Sequence, residues 1–316
     1  MTTDLTPLDD DLFDDATAAP LYGLHSDLLS PSPFKSIKGR YRFPPPPGFA
    51  PSGRGWRRTT NLVKAFSDQY ALQQWLERMT LLGLLANDGL IFDELAAINL
   101  DAFTDSERRT ILAKAAELAR TAAGADTGAR KGTARHAVLE QFIMAGEVIG
   151  HRRMQVQFAE MIEVMDRKGF EFIPDSQERF IFHPIGGGAV GRRDARFLCR
   201  GTGQVGTIDL KTQEKFWTYQ EHSGQQWIYD TAPWVWEGPL DDSGRWMPQD
   251  AGTYVGREGG VCPGKPAALL IHMPSKGGRV ELVELDLEYG RQVAEQAARN
   301  VELRSVGTRA GGICPA

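Results

Sequence analysis

From about residue 56 the chain alternates between two textures, helical spacing of apolar positions and short runs of strand-like alternation. "TTNLVKAF" and "SDQYALQQWLERMTLLGLLA" place apolar residues three and four apart, each behind a Thr or Ser able to cap a helix. "TDSERRTILAKAAELARTAAG" opens on Thr104 with Glu107 three residues later, the capping-box spacing. "GTARHAVLEQFIMAGE" and "MQVQFAEMIEVMDRKG" predict two more helices, the second stopped at Gly169. The texture then changes. "FEFI", "ERFIFHP", "AVGRRDARFLC" and "VGTIDLKT" predict strands, with "RGTGQ" as a hairpin turn between the last two. "KFWTYQEHSGQQWIYDTA" predicts a helix, and the Gly-, Pro- and Trp-rich residues 232–264 a long surface loop or lid. "AALLIHMP" and "RVELVELDL" predict a closing strand pair around a turn at Lys276–Gly278, before a last helix, "LEYGRQVAEQAARNVELR". This order predicts an α/β core behind a helical N-terminal part. The expected organisation is an extended or disordered segment over 1–54, a helical part over 55–131 and the core over 132–316.

Charge sharpens the picture at the N-terminal end. The net charge is −5, but residues 1–34 hold seven acids and no Lys or Arg. Residues 35–58 hold seven bases and no acid, around the proline run "RFPPPPGFAPSG". That run has no helical or strand period and favours an extended polyproline conformation. The basic arm reads as a solvated linker or as a phosphate-binding segment. Three scattered cysteines with no CxxC pair argue against a disulfide framework, a zinc ribbon or an iron–sulfur cluster. The absence of a long apolar run predicts no membrane span, and the acidic start lacks a secretory signal core. A cytoplasmic location is the resulting expectation.

Candidate chemistry centres on "GTIDLKTQ". Asp209 and Lys211 lie two apart on a predicted strand and so share a face, while Ile208 and Leu210 point into a core. A second acid-x-Lys triplet, Asp166 and Lys168, lies on a predicted helix, where residues two apart diverge; it reads as a solvated helix end. Pairing "GRRDARFLC" with "VGTIDLKT" brings Asp194 beside Asp209. Two carboxylates and a backbone carbonyl at a sheet rim form a hard, oxygen-rich site suited to Mg²⁺ or Mn²⁺. "GTGQVG" matches a dinucleotide-loop pattern in letters, but a strand follows it rather than a helix, so it reads as a hairpin turn.

"GRRDARFLCRGTGQVGTIDLKT" resembles the core of the PD-(D/E)XK nuclease superfamily, and more closely the RecB-like exonucleases of phages and CRISPR adaptation systems. The resemblance covers roughly residues 55–305 and implies a restriction-endonuclease-like core, a mixed central sheet flanked by helices. It rests also on "GTARHAVLEQ", a helix carrying Gly132, His136 and Glu140, and on Glu178 just before a core strand. "GQQWIY" supplies Gln225 and Tyr229, four apart on one helical face. Arg193 stands where the family pattern has proline, and the cysteine cluster of many CRISPR-associated members is missing, so no iron–sulfur cluster is expected.

The resemblance implies a Mg²⁺- or Mn²⁺-dependent DNA exonuclease of phage replication or recombination, with proteins of those processes as possible partners. His136, Asp194, Asp209 and the Leu210 carbonyl would hold the metal. Lys211 would orient or activate water, with Glu178, Gln225 and Tyr229 in support. Arg54, Arg57, Arg58, Arg192 and Arg193 are the candidate DNA contacts, and Trp217 and Trp234 could stack on bases. A nuclease-like fold used only for binding or structure is the alternative from another class. RNA remains open as a substrate.

Overall fold

The structure, a computed structural model, describes residues 39–306 apart from 68, 87–88, 149, 151, 215–219, 239–243, 250–252, 256–260 and 264–266. The acidic segment 1–34 and Trp217 lie outside the described residues. The chain is α/β, as the order of patterns predicts.

A short strand, β1 (Arg40–Tyr41), pairs antiparallel with β2 (Trp56–Arg58). Then come α1 (Thr59–Val63), α2 (Tyr70–Leu85), α3 (Leu90–Ala96) and α4 (Asp105–Ala122). At the start of α4, Thr104 Oγ1 accepts the Glu107 N–H and the Glu107 carboxylate accepts the Thr104 N–H, completing the capping box. Helices α5 (Thr127–Ala145) and α6 (Arg152–Arg167) follow. The expected boundary at 131/132 therefore falls inside α5.

The remaining elements are β3 (Phe170–Phe172), β4 (Arg179–His183), β5 (Ala189–Arg193), β6 (Ala195–Cys199), β7 (Val205–Lys211), α7 (Gln220–Thr231), β8 (Trp234–Glu237) and β9 (Arg245–Pro248). After them come β10 (Thr253–Val255), β11 (Val261–Pro263), β12 (Ala268–His272), β13 (Glu281–Leu285) and α8 (Leu287–Val306). Among the described residues two mixed sheets form, β13-β12-β7-β6-β3 and β1-β2-β5-β4-β8-β9, besides the small β10-β11 pair.

Three sequence readings need correction here. "AVGRRDARFLC" is two strands, not one: the chain leaves the six-stranded sheet after Arg193 and joins the five-stranded sheet at Ala195. Residues 232–264 are not one loop, because β8 pairs antiparallel with β4 and β9 antiparallel with β8, extending the six-stranded sheet. The described part of the basic arm, residues 39–58, is also packed rather than loose. Phe43 is buried, the Trp56 indole donates to the Phe43 carbonyl at 3.0 Å, and the Trp246 indole donates to the Pro44 carbonyl at 2.8 Å. The proline run has no N–H to offer a ladder, and the two indoles pair the carbonyls of Phe43 and Pro44 at its start.

The cores explain the layering. Val138, Leu139, Phe158 and Met161 of α5 and α6 bury against Ile208, Leu210, Leu269 and Ile271 of β7 and β12. A second core joins α1, α7 and α8 to β4 and β5 through Leu62, Ile228, Ala294, Ile181 and Ala189. Rings of Phe43, Phe180, Phe182, Trp236 and Trp246 form a third core on the six-stranded sheet. No helix among the described residues is long and apolar enough to cross a membrane.

Candidate metal and catalytic site

The two sheets meet where the chain crosses between them at Asp194. Strands β6 and β7 pair antiparallel with Ala195 opposite Ile208, so Asp194 falls one step beyond the ladder, beside Asp209. Its carboxylate replaces the missing strand partner: Asp194 Oδ2 accepts the Leu210 N–H at 2.8 Å. The same oxygen lies 3.1 Å from His136 Nδ1 on α5. Helix α5 approaches the end of β7 closely at Gly132, where a Cβ would stand 3.0 Å from Thr212 Oγ1. The Gly132–His136 spacing thus lets the helix settle and directs the imidazole one turn later at Asp194.

Strand alternation puts Asp209 and Lys211 on the face opposite Ile208 and Leu210. Lys211 Nζ reaches Asp209 Oδ2 at 2.6 Å, and the Asp209 side chain is only 4% exposed. Gln225 and Tyr229 lie buried on α7, with Gln225 Nε2 donating to the Tyr229 hydroxyl at 2.9 Å. Gly191 admits this tyrosine: a Cβ there would lie 2.5 Å from Tyr229 Cε1 and 2.7 Å from Thr59 Oγ1.

Glu178 precedes β4 with φ +52, a left-handed conformation that is uncommon for a residue with a Cβ. Its N–H donates to the Asp194 carbonyl at 2.9 Å, and its carboxylate pairs with Arg192 Nε. Glu178, His136 and Asp194 each bring a ligand atom within 4.8 Å of the others.

The charges at this junction are strongly coupled. Burial disfavours the His136 cation, but the Asp194 carboxylate, with Glu178 and Asp209 behind it, raises its pKa to about 9. Burial also works against charge on Asp194, yet His136 and Lys211 outweigh it and hold that carboxyl below its ordinary range. Asp209 moves the other way: burial and the neighbouring Asp194 raise it, against the pull of Lys211. Burial and Asp194 likewise push Glu178 up to about 7, against Arg192. Burial would lower Lys211, but Asp209 and Asp194 hold it above the ordinary lysine range. Tyr229 is raised by burial first and by Asp209 second, which keeps its hydroxyl protonated.

The geometry regroups the expected ligands. Asp209, expected with His136 and Asp194, is engaged by Lys211, while Glu178 joins the other two. Leu210 offers its N–H to Asp194. Glu140, one turn beyond His136, lines a cavity together with Glu178. Two carboxylates and one imidazole form a donor set that fits a hard divalent cation, and the imidazole tilts it from Mg²⁺ toward Mn²⁺. The surplus of buried carboxylates would gain from such a charge.

The candidate DNA-binding arginines divide. Arg54 is exposed; Arg57 and Arg58 are half-buried, with Arg58 stacked 5.5 Å from the Tyr41 ring centroid. Arg192 holds Glu178. Arg193 is buried, and its guanidinium donates to Gln249 Oε1 at 2.9 Å. Burial, with Arg196 nearby, lowers its pKa to about 9. The period of two along β5 was the signal for this, since consecutive residues of a strand take opposite faces. Trp234 is half-buried in β8, and Asp166 sits at an exposed helix end, where it accepts from Arg200 at 2.7 Å. His222 is a neighbour that sequence reasoning missed. It lies one turn before Gln225 on α7, and burial together with Lys211 lowers its pKa to about 3.

No family model and no curated protein matches the chain. Among solved structures, a crystal structure of SSO0001 is similar over 46% of this chain and 59% of its own, at 15% identity and a TM-score of 0.22.

Proposed function

We propose that this chain is a metal-dependent deoxyribonuclease that hydrolyses phosphodiester bonds at DNA ends, in the phage replication or recombination setting that the sequence resemblance implies. The observation that carries the reading is the convergence of His136, Glu178 and Asp194 within 4.8 Å, beside the buried Asp209–Lys211 ion pair. Such a site needs both acids and a cation, and a structural role alone gives little return for burying so many charges.

His136, Glu178 and Asp194 would hold Mg²⁺ or Mn²⁺. When bound, the ion supplies charge to polarise a phosphoryl oxygen and to acidify a water. Asp209 fixes the Lys211 ammonium, and Lys211 in turn orients the attacking water or meets charge building on the phosphate. Gln225 and Tyr229, hydrogen-bonded to each other on α7, would support this pair. The Leu210 N–H and His136 lock Asp194 in one rotamer, so the ligand face is set before substrate arrives.

The test is a substrate panel. The protein is incubated with linear and covalently closed DNA, single- and double-stranded, and with RNA, each with Mg²⁺, Mn²⁺ or EDTA. Linear DNA should be degraded with either metal and spared in EDTA, and closed circles should resist. Cleavage of closed circles would replace the exonuclease reading with an endonuclease, and cleavage of RNA alone would replace the substrate.

A further inference from the structure

Between residues 70 and 122 the chain forms α2, α3 and α4 with almost no core of its own. Among the described residues of this stretch, Gly83 of α2 and Ala119 of α4 are the buried ones. They mark a single close crossing. A Cβ at Gly83 would run into the Ala119 carbonyl, and beside it the Arg120 guanidinium donates to Thr80 Oγ1 at 3.4 Å. Around this crossing, twelve large apolar side chains between Tyr70 and Leu118 are left exposed. Leu72, Trp75 and Leu82 are spaced to share one side of α2, and they are 43%, 42% and 53% exposed. Leu112 lies seven residues before Ala119, on the side of α4 that meets α2, and it is exposed too. Leu81 and Leu85 add apolar surface elsewhere on α2. A helix apolar on nearly every side belongs at the centre of a packed unit. Here α2 packs on α4 and α3 and leaves these side chains bare.

We infer that the α2–α4 surface is the face through which two copies of this chain pair about a two-fold axis. Area is the first argument. A half-exposed large side chain shows roughly 100 Å², so twelve of them present on the order of 1,000 Å². A folded monomer rarely leaves more than a few hundred Å² of contiguous apolar surface bare, and each partner of a stable pair covers roughly 800 Å². Charge is the second argument, and it selects the occupant. The exposed charges interleaved with the apolar residues take both signs, Glu77 next to Arg78 on α2 and Lys114 three residues before Glu117 on α4. That balance offers no one-signed field to a nucleic acid and no cationic rim to a lipid surface. An apolar ground dotted with both charges is instead complementary to its own copy, as a two-fold interface requires. Two copies set face to face would give Trp75 and Leu82 the partners that α4 does not supply. The coreless α2–α4 layer would then be one half of a packed unit.

This inference is independent of the metal cluster and of cleavage, and its test reads mass. At micromolar concentration the full chain should sediment at equilibrium with the mass of two chains. Leu82→Gln should weaken the pair at least about tenfold. Trp75→Gln combined with Leu82→Gln should leave a monomer with the far-ultraviolet circular dichroism of the wild type. Leu303→Gln, an equally simple change at an exposed position of α8, should leave the dimer intact. Should the double variant not fold, Leu85→Gln, at the most exposed of the α2 leucines, takes its place and should also weaken the pair. A monomeric wild type overturns the inference; if Leu82→Gln then lowers its melting temperature, another part of the same chain covers the face. A dimer that the α2 variants leave intact puts the interface elsewhere and overturns it equally. A mass of three or more chains overturns the two-fold arrangement.

Discussion

Lys211 Nζ lies 2.6 Å from Asp209 Oδ2 on one face of β7, in a place where the aspartate is almost sealed from solvent. Neither charge is tolerable there without the other. Asp209 is pushed toward protonation by burial and by Asp194, and Lys211 is the group that opposes this.

Removing one member should therefore cost more than removing both. Lys211→Ala should destabilise the fold by about 3 kcal/mol, because it strands a buried carboxylate. The pair Asp209→Asn with Lys211→Met should be clearly less destabilised than Lys211→Ala alone. Urea denaturation of the three proteins measures this; equal losses would mean that the ion pair is not coupled.

Gly191 should be intolerant of even one methyl group. The added Cβ of Gly191→Ala would sit 2.5 Å from Tyr229 Cε1, and forcing that apart should cost about 1–3 kcal/mol. Gly132→Ala meets only a hydroxyl at 3.0 Å and should cost less. Adding Tyr229→Leu should recover part of the Gly191→Ala loss, read as melting temperature. A Gly191→Ala protein that melts with the wild type would show that Tyr229 does not pack there.

His183 should weaken the protein toward acid. Its Nδ1 accepts the Ile185 N–H at 3.1 Å, and burial lowers its pKa from 6.5 to about 4. The folded state thus refuses a proton that the unfolded chain accepts. The stabilisation is complete above pH 6.5 and is lost as pH falls toward 4, by about 3 kcal/mol over that window. His183→Asn, which keeps an acceptor but cannot charge, should flatten this acid limb in a pH series of thermal melts. An unchanged slope would assign the acid sensitivity to other groups.

The packed arm gives a separate check on the fold. Phe43 is buried against Phe180, Trp236 and Trp246, with ring centroids 4.9–5.2 Å apart. Phe43→Ala should cost about 3 kcal/mol, whereas a solvated linker would register no change in denaturation midpoint.

Much of this was legible in the sequence, for reasons that differ by residue. The Thr104–Glu107 spacing is a local signal, and local hydrogen bonds complete it. The alternation in "GTIDLKT" separates Asp209 and Lys211 from Ile208 and Leu210 whatever the rest of the fold does. The switch of sheets at Asp194 was not legible, because a strand leaving one sheet for another keeps the same period of two. Nor was the burial of "RFPPPP": its prolines carry no pattern, and its partner Trp246 is about 200 residues away. The grouping of Glu178 rather than Asp209 with His136 depends on a left-handed turn, and nothing in "PDSQER" marks that turn with glycine.

The central claim is that His136, Glu178 and Asp194 form a working metal site beside Asp209 and Lys211. The most direct measurement is the release of nucleotides from end-labelled linear DNA by wild-type protein and by Asp194→Asn, each titrated with Mn²⁺. The wild type should release nucleotides in proportion to Mn²⁺ occupancy, and a folded Asp194→Asn protein should be slower by at least about a hundredfold, the scale of losing one charge-stabilising group. Metal-independent release, no release at any Mn²⁺ concentration, or an Asp194→Asn protein as fast as the wild type would contradict the claim.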